Sequence, residues 1–241
     1  MPPTLVLVAH GSRDPRALST VEALLGRVRE LRPGLPVRLG HIELTAPLLT
    51  GTLDALPEGG EAVLVPLLLG RGHHVTHDLP RAAADAAHLR TRVAAPLGPH
   101  PLLVEALRDR LAEAGWTPGT AVVLAGAGSL DPRSAADARA TAGQLAERLD
   151  GVPVVPAYAS AAAPTVPAAV RALAARGHHR PALAAYFTAP GRFATQSAAA
   201  APGIAAAPLG DHPALARLVL HRYDQACAQP YRPAGRELAT A

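Results

Sequence analysis

Two stretches decide the fold: L-V-L-V-A-H-G-S-R-D-P-R at residues 5–16 and V-V-L-A-G-A-G-S-L-D-P-R at residues 122–133. Gly11, Ser12, Asp14, Pro15 and Arg16 recur 117 positions later as Gly128, Ser129, Asp131, Pro132 and Arg133. Each stretch opens with an apolar run of strand character and closes with a glycine turn and an Asp-Pro pair, which suits the N-cap and first position of a helix. His10 does not recur; Ala127 stands in its place. A repeat that keeps its turn and drops its histidine separates the residues folding needs from those chemistry needs.

Working outward, short apolar runs alternate with longer Ala/Leu/Arg segments of helical character, the pattern of a parallel α/β sheet. Strands are expected at 4–9, 36–43, 61–69 and 91–95, and helices at 15–31, 46–56, 76–89 and 100–115. The second half repeats the order, with strands at 121–125, 152–158, 181–187 and 203–207 and helices at 133–149, 164–176, 193–200 and 212–227. The run E-A-V-L-V-P-L-L-L at 61–69 is almost wholly apolar, as a strand covered on both faces should be. Gly115-Trp116-Thr117-Pro118-Gly119 reads as a linker. The expectation is two tandem flavodoxin-like domains, 1–116 and 120–229, each a four-stranded parallel sheet flanked by helices, with a frayed tail at 230–241.

Composition narrows the function. The 241 residues are 49% hydrophobic, so a packed core is expected rather than disorder. Aromatics are 3% and the net charge of +4 shows no basic run, which speaks against nucleic acid. The single Cys227 excludes an intrachain disulfide and a cysteine-based zinc site. No apolar run approaches the roughly 20 residues of a membrane span, and Met1-Pro2-Pro3 leads into a strand without a signal peptide. A cytoplasmic protein without nucleic-acid or membrane partners is expected, its arginines suited to a small anionic substrate.

Three candidate ligands sit at matching places. His10 ends the first strand, Glu43 ends the second within H-I-E-L-T-A-P, and His74 follows the third within G-R-G-H-H-V-T-H-D-L-P. In an open parallel sheet the carboxyl ends of the strands line one edge, where ligands gather. Two imidazoles and a carboxylate suit a borderline divalent cation with exchangeable positions left open. The repeat replaces all three: Ala127 for His10, Ser160 for Glu43, and Arg192 or Phe193 near the place of His74. His178-His179 falls at the opposite sheet edge and reads as surface.

The motifs A-H-G-S-R-D-P at 9–15, I-E-L-T-A-P at 42–47 and V-P-L-L-L-G-R-G-H-H-V-T-H-D-L-P at 65–80 resemble those of the sirohydrochlorin chelatases, class II chelatases that insert cobalt or iron into a tetrapyrrole. The resemblance covers most of the first half and continues, degenerately, through G-S-L-D-P-R and Y-F-T-A-P-G-R-F. It implies His10 and His74 as the paired active-site histidines and Glu43 as the nearby metal-binding carboxylate. The family's third motif has the form G-x-H-V-x-x-D-I-P, which favours His74 over His73 and puts His77 where an acidic residue is common. Metal-binding and catalytic roles then fall to His10, Glu43 and His74. Ser12, Arg13, Arg71 and, across the cleft, Arg192 would meet the substrate's carboxylates, and Gly11 and Gly72 would allow the tight turns that line the ring's site. Asp14 and Asp78 read as helix caps. No organic cofactor is implied; the divalent metal (Co2+ or Fe2+, with Ni2+ a further candidate) is a substrate, in cobalamin or siroheme biosynthesis. The internal repeat would supply both walls of the cleft in a monomer. Two other readings use the same residues: a non-catalytic divalent-metal carrier or sensor, and a metal-dependent hydrolase, which lacks a nucleophile elbow or phosphate loop.

Overall fold

A computed structural model of the chain describes residues 2–231. The first half runs β1 (Thr4–Ala9), α1 (Pro15–Leu31), β2 (Val37–His41), α2 (Leu49–Asp54) and β3 (Glu61–Pro66). A π-helical turn (His74–Asp78) then leads into α3 (Leu79–Asp85), β4 (Arg90–Val93) and α4 (Pro101–Glu113). The second half runs β5 (Val122–Gly126), α5 (Pro132–Arg148), β6 (Val154–Tyr158), α6 (Val166–Ala174), β7 (Ala182–Tyr186), α7 (Arg192–Ala199) and α8 (Pro213–Ala228). The sheets are parallel throughout, ordered β2-β1-β3-β4 and β6-β5-β7.

The central strands are apolar because both faces are covered. Leu5, Leu7 and Ala9 enter one core cluster, while Val6 and Val8 enter another on the opposite face. This is the period-two alternation of a strand with no solvent side. The Asp-Pro signals act as expected: Asp14 and Asp131 each accept a backbone N–H at the N-cap, followed by Pro at the helix start. Arg16 and Arg133 also bond those carboxylates and hold them below the usual aspartate range.

The second sheet has three strands rather than the four expected. Residues 203–207 contribute only an isolated bridge, Leu183 to Ala205. The segment is alanine-rich and bounded by Pro202 and Pro208, which lack a ladder donor, with Gly203 between them. The helix expected at 76–89 is shorter and preceded by the π-helical turn. Of the tail expected at 230–241, residues 232–241 lie outside those described.

The terminal helix of each half packs on the other half. Helix α4 lies against α5 and β7, and α8 lies against α1, β3 and β4. One core cluster therefore mixes Leu5, Leu7 and Leu107 with Leu124, Leu145 and Leu218. Each sheet has one face closed by a helix that follows the other sheet, so the two halves share one core. Both crossing helices begin His-Pro, and both caps use imidazole: Nδ1 of His100 accepts from the Leu102 N–H (3.1 Å) and Nδ1 of His212 from the Ala214 N–H (3.2 Å). Among the described residues no helix is long and apolar enough to cross a membrane.

Candidate functional site

The carboxyl ends of β1 and β5 face a cleft of about 1110 Å³ between the halves, lined mostly by apolar side chains. His10, Glu43 and His74 all reach it from the first half, as do Gly11, Ser12, Arg13, Arg71 and Gly72; Arg192 reaches it from the second.

The turn after β1 is built for close approach. The Ile42 N–H donates to the Ala9 carbonyl (2.9 Å) and the Glu43 N–H to the His10 carbonyl (3.0 Å), so two strand ends are stitched together beyond the sheet. Gly11 sits at φ +99°, and a Cβ there would lie 1.7 Å from the Glu43 carbonyl oxygen. Only glycine fits both conditions. The hydroxyl of Thr45 completes the stitch, accepting from the Ser12 N–H (3.0 Å) and donating to the Ser12 carbonyl (2.9 Å). Ser12 Oγ in turn accepts from the Asp14 N–H (3.1 Å), so Ser12 shapes the turn as well as lining the cleft.

This frame places three groups together. Nε2 of His10 lies 3.5 Å from Oε1 of Glu43, and the His10 and His74 rings meet edge to face with centroids 4.8 Å apart. Nδ1 of His10 lies 3.2 Å from the Gly11 carbonyl, which can only accept. Both ring nitrogens of His10 thus face acceptor oxygens, and a cation taken up between Nε2 and the Glu43 carboxylate would leave the ring proton on Nδ1, against the Gly11 carbonyl. Among the described residues no three His, Cys, Asp or Glu side chains close into a ready-made metal cage; the grouping is by pairs.

His74 opens the π-helical turn. The Val75 and Thr76 N–H groups both donate to the Gly72 carbonyl, and the Leu79 N–H to the His74 carbonyl. Such single turns recur at functional sites. Here the wide turn brings Oδ2 of Asp78 to 2.6 Å from Nδ1 of His74. The reading of Asp78 as a cap of α3 is corrected: its backbone is already helical and its side chain makes no capping bond, because the π-helical turn has moved the helix start upstream. His73 and His77 stack on the exposed side of this turn, centroids 4.6 Å apart, with His73 Nε2 3.7 Å from Asp78 Oδ1.

The arginines differ in their commitments. Arg13 and Arg192 are exposed at the cleft; Arg192 lies 5.1 Å over the Phe193 ring. Arg71 is held from the second half: Asp137, its side chain only 6% exposed, accepts from the Arg71 guanidinium at 2.9 and 2.5 Å and from its backbone N–H at 3.3 Å. The Tyr186 hydroxyl donates to the Leu69 carbonyl (3.0 Å) and lies 3.3 Å from Thr141 Oγ1. Burial raises that phenol well above its usual range. The loop leading to His74 is thus pinned twice by the other half. Sequence reasoning assigned no role to Thr45, Asp137 or Tyr186. Thr45 carried a signal, since the repeat replaces it with Ala162; Asp137 and Tyr186 carried none.

The second half repeats the frame without the chemistry. Gly128 sits at φ +91° with a notional Cβ 1.9 Å from the Ser160 carbonyl oxygen, and Ser160 N–H donates to the Ala127 carbonyl (2.9 Å). Leu7 pairs with Val65 and its counterpart Leu124 with Ala184; carried forward, that register sets Phe193 against His74. His178 and His179 lie before β7, at the opposite sheet edge as expected.

The CbiX family model matches residues 4–114 and, again, residues 121–226. A chloroplastic sirohydrochlorin ferrochelatase of Arabidopsis thaliana is 32% identical over 114 residues, covering 44% of this chain and 50% of the relative. A sirohydrochlorin cobaltochelatase of Methanopyrus kandleri is 34% identical over 79 residues, covering 32% and 55%. The chain thus spans about half the length of these curated relatives. Among solved structures, SirB from Bacillus subtilis with Fe3+ shares the fold at a TM-score of 0.77 and 24% identity, over 95% of this chain and 96% of that one. CbiX, described as the terminal enzyme for biosynthesis of siroheme in denitrifying bacteria, aligns at a TM-score of 0.71 and 25% identity, over 92% and 99%.

Proposed function

The chain belongs to the CbiX family, and from that membership and the geometry of its cleft we propose that it is a sirohydrochlorin chelatase, an enzyme that exchanges two pyrrole N–H protons for a divalent metal. The observation that carries the reading is the placement of His10, Glu43 and His74 in one half of a two-walled cleft, beside a second half that keeps the frame and lacks all three. Relatives named as cobaltochelatase and ferrochelatase both match, and a set of imidazole and carboxylate accepts either ion. Co2+ would place the chain in cobalamin synthesis and Fe2+ in siroheme synthesis; Ni2+ is a further candidate.

The cleft's volume favours a chelatase over a metal carrier. A carrier needs room for one ion, whereas about 1110 Å³ of mostly apolar space accommodates a large planar ring. The apolar walls receive the ring faces, and the exposed Arg13 and Arg192 meet peripheral carboxylates at the mouth. The lone pair of His10 Nε2 and the Glu43 carboxylate attract the cation and strip part of its water. As ring nitrogens take over the cation, His10 Nε2 and the Glu43 carboxylate let go of it and are free to take up the two departing pyrrole protons, one each, before passing them to solvent. Both walls come from one chain, so a monomer suffices.

The test is an anaerobic absorbance assay with sirohydrochlorin and, separately, Co2+, Fe2+ and Ni2+. Metal-dependent loss of the free-ring spectrum, well above the protein-free rate, is expected. No acceleration with any metal, alongside tight metal binding, would move the chain to the carrier reading.

A further inference from the structure

The two histidines of the cleft are fixed by different means. His10 turns Nδ1 to a backbone carbonyl, that of Gly11, whereas His74 turns Nδ1 to a side chain, that of Asp78. A carboxylate has no proton to give, so at 2.6 Å Nδ1 of His74 is the donor and the bond is charge-assisted. Among the described residues Nε2 of His74 has no hydrogen-bond partner in the protein, and its ring lies at the cleft wall against His10. Asp78 is otherwise uncommitted: it caps no helix, no arginine among the described residues pairs with it, and its second oxygen stands 3.7 Å from His73. The π-helical turn matters to this arrangement. Its wider winding sets residues four apart nearly in line, and Asp78 meets the Nδ1 edge of the ring that opens the turn.

We propose that Asp78 is a positioning residue for His74: it holds the ring in the Nδ1–H tautomer and presents the Nε2 lone pair to the incoming cation. Carboxylates serve histidine ligands elsewhere in this way, fixing the tautomer and raising the ring's basicity. The consequence for catalysis rests on the chelatase reading; the tautomer itself does not.

The test has two arms. In the first, side-chain 15N spectra of histidine-labelled protein are recorded above the imidazole titration range, with the His74 ring assigned from the His74→Gln variant. The wild-type ring is expected to carry its proton on Nδ1, and the Asp78→Ala variant to lose that preference. A wild-type His74 protonated on Nε2, or an unchanged tautomer in Asp78→Ala, overturns the proposal. The wild-type spectrum decides even if a variant folds poorly. In the second arm, kcat/KM for Co2+ is expected to fall about 10- to 100-fold in Asp78→Ala, with KM for the tetrapyrrole within twofold and partial recovery in Asp78→Glu. Equal losses toward both substrates without recovery would mark a merely structural role and overturn it. If the wild type inserts no metal at all, the chelatase reading fails while the spectra still decide Asp78.

Discussion

The turn after β1 and the turn after β5 are built alike and equipped differently. Both place glycine at positive φ against a carbonyl oxygen, at Glu43 in one case and Ser160 in the other, and both start a helix with Asp-Pro. Only the first carries a histidine, a carboxylate one strand over, and a threonine that clamps the turn; the second has Ala127, Ser160 and Ala162 there. The difference shows that the frame is a steric requirement of joining two parallel strand ends, while the histidine and the carboxylate are separable from it. It also shows why the plain half was not discarded: it closes the cleft, supplies α8 to the first half's sheet, and pins the loop that leads to His74 through Asp137 and Tyr186.

The sharpest break of this comparison is to strip the equipped turn. His10→Ala and His74→Ala should each lower metal insertion by at least about 100-fold, with melting temperatures close to wild type because His10 is 43% exposed and His74 34%. Near-normal insertion by either alanine variant would sink the assignment.

Next come the glycines. Gly11→Ala and Gly128→Ala should each destabilise by more than about 2 kcal/mol, since a Cβ would lie within 2 Å of a carbonyl oxygen in both turns, at 1.7 and 1.9 Å. Denaturant unfolding should rank them alike, whereas activity per folded molecule should fall far more for Gly11→Ala. Comparable activity losses would mean the second turn contributes to chemistry after all.

Asp137→Asn tests the hold of one half on the other. It leaves the Arg71 guanidinium without its charged partner and should cost about 1–3 kcal/mol, less than a fully buried pair because Arg71 is 42% exposed. Thr45→Ala, which gives the first turn the residue the second has, should cost about 1–2 kcal/mol for two lost hydrogen bonds. Thermal unfolding of either at wild-type temperature would remove the corresponding contact from the account.

The smallest effect concerns what the halves share, the His-Pro starts of α4 and α8. Burial is the main cause holding His100 and His212 below the usual imidazole pKa, helped by Arg222 and His221 around the first and Arg110 around the second. Asp109, Glu113 and Glu105 oppose the shift at His212. Both caps accept through Nδ1, so the folded state resists a proton that the unfolded chain takes up near pH 6.5. Their contribution to stability is full above that pH and is lost as pH falls below it. His100→Asn with His212→Asn, which keeps an acceptor at each cap, should flatten the fall in melting temperature between about pH 7 and 5. An unchanged slope would clear the caps of that role.

Much of this was legible in advance for definite reasons. Strand cores alternate between two buried faces and so read as apolar runs; Asp-Pro and Gly punctuate because capping and positive φ admit few residues. Those are local constraints, and the elements they mark stand within a few residues of expectation. The segment at 203–207 bonds to the open edge of β7 only at Leu183, and the flanking Pro202 and Pro208, which lack ladder donors, stop the pairing from extending into a strand. Asp78 was misread for a related reason: Asp before Leu-Pro has the spelling of a cap, and only the π-helical turn, set by the Gly72 carbonyl, removes that task and gives it another.

By itself the sequence determined the repeat, the parallel α/β class and the three residues that the second half lacks, because each rests on spacing and residue type along one chain. Only the tertiary structure decided that α4 and α8 change sides, that Arg71 belongs to Asp137, and that the Tyr186 hydroxyl reaches the Leu69 carbonyl. Those are contacts between distant segments, fixed by which faces remain uncovered once the sheets have formed, and no local pattern encodes them.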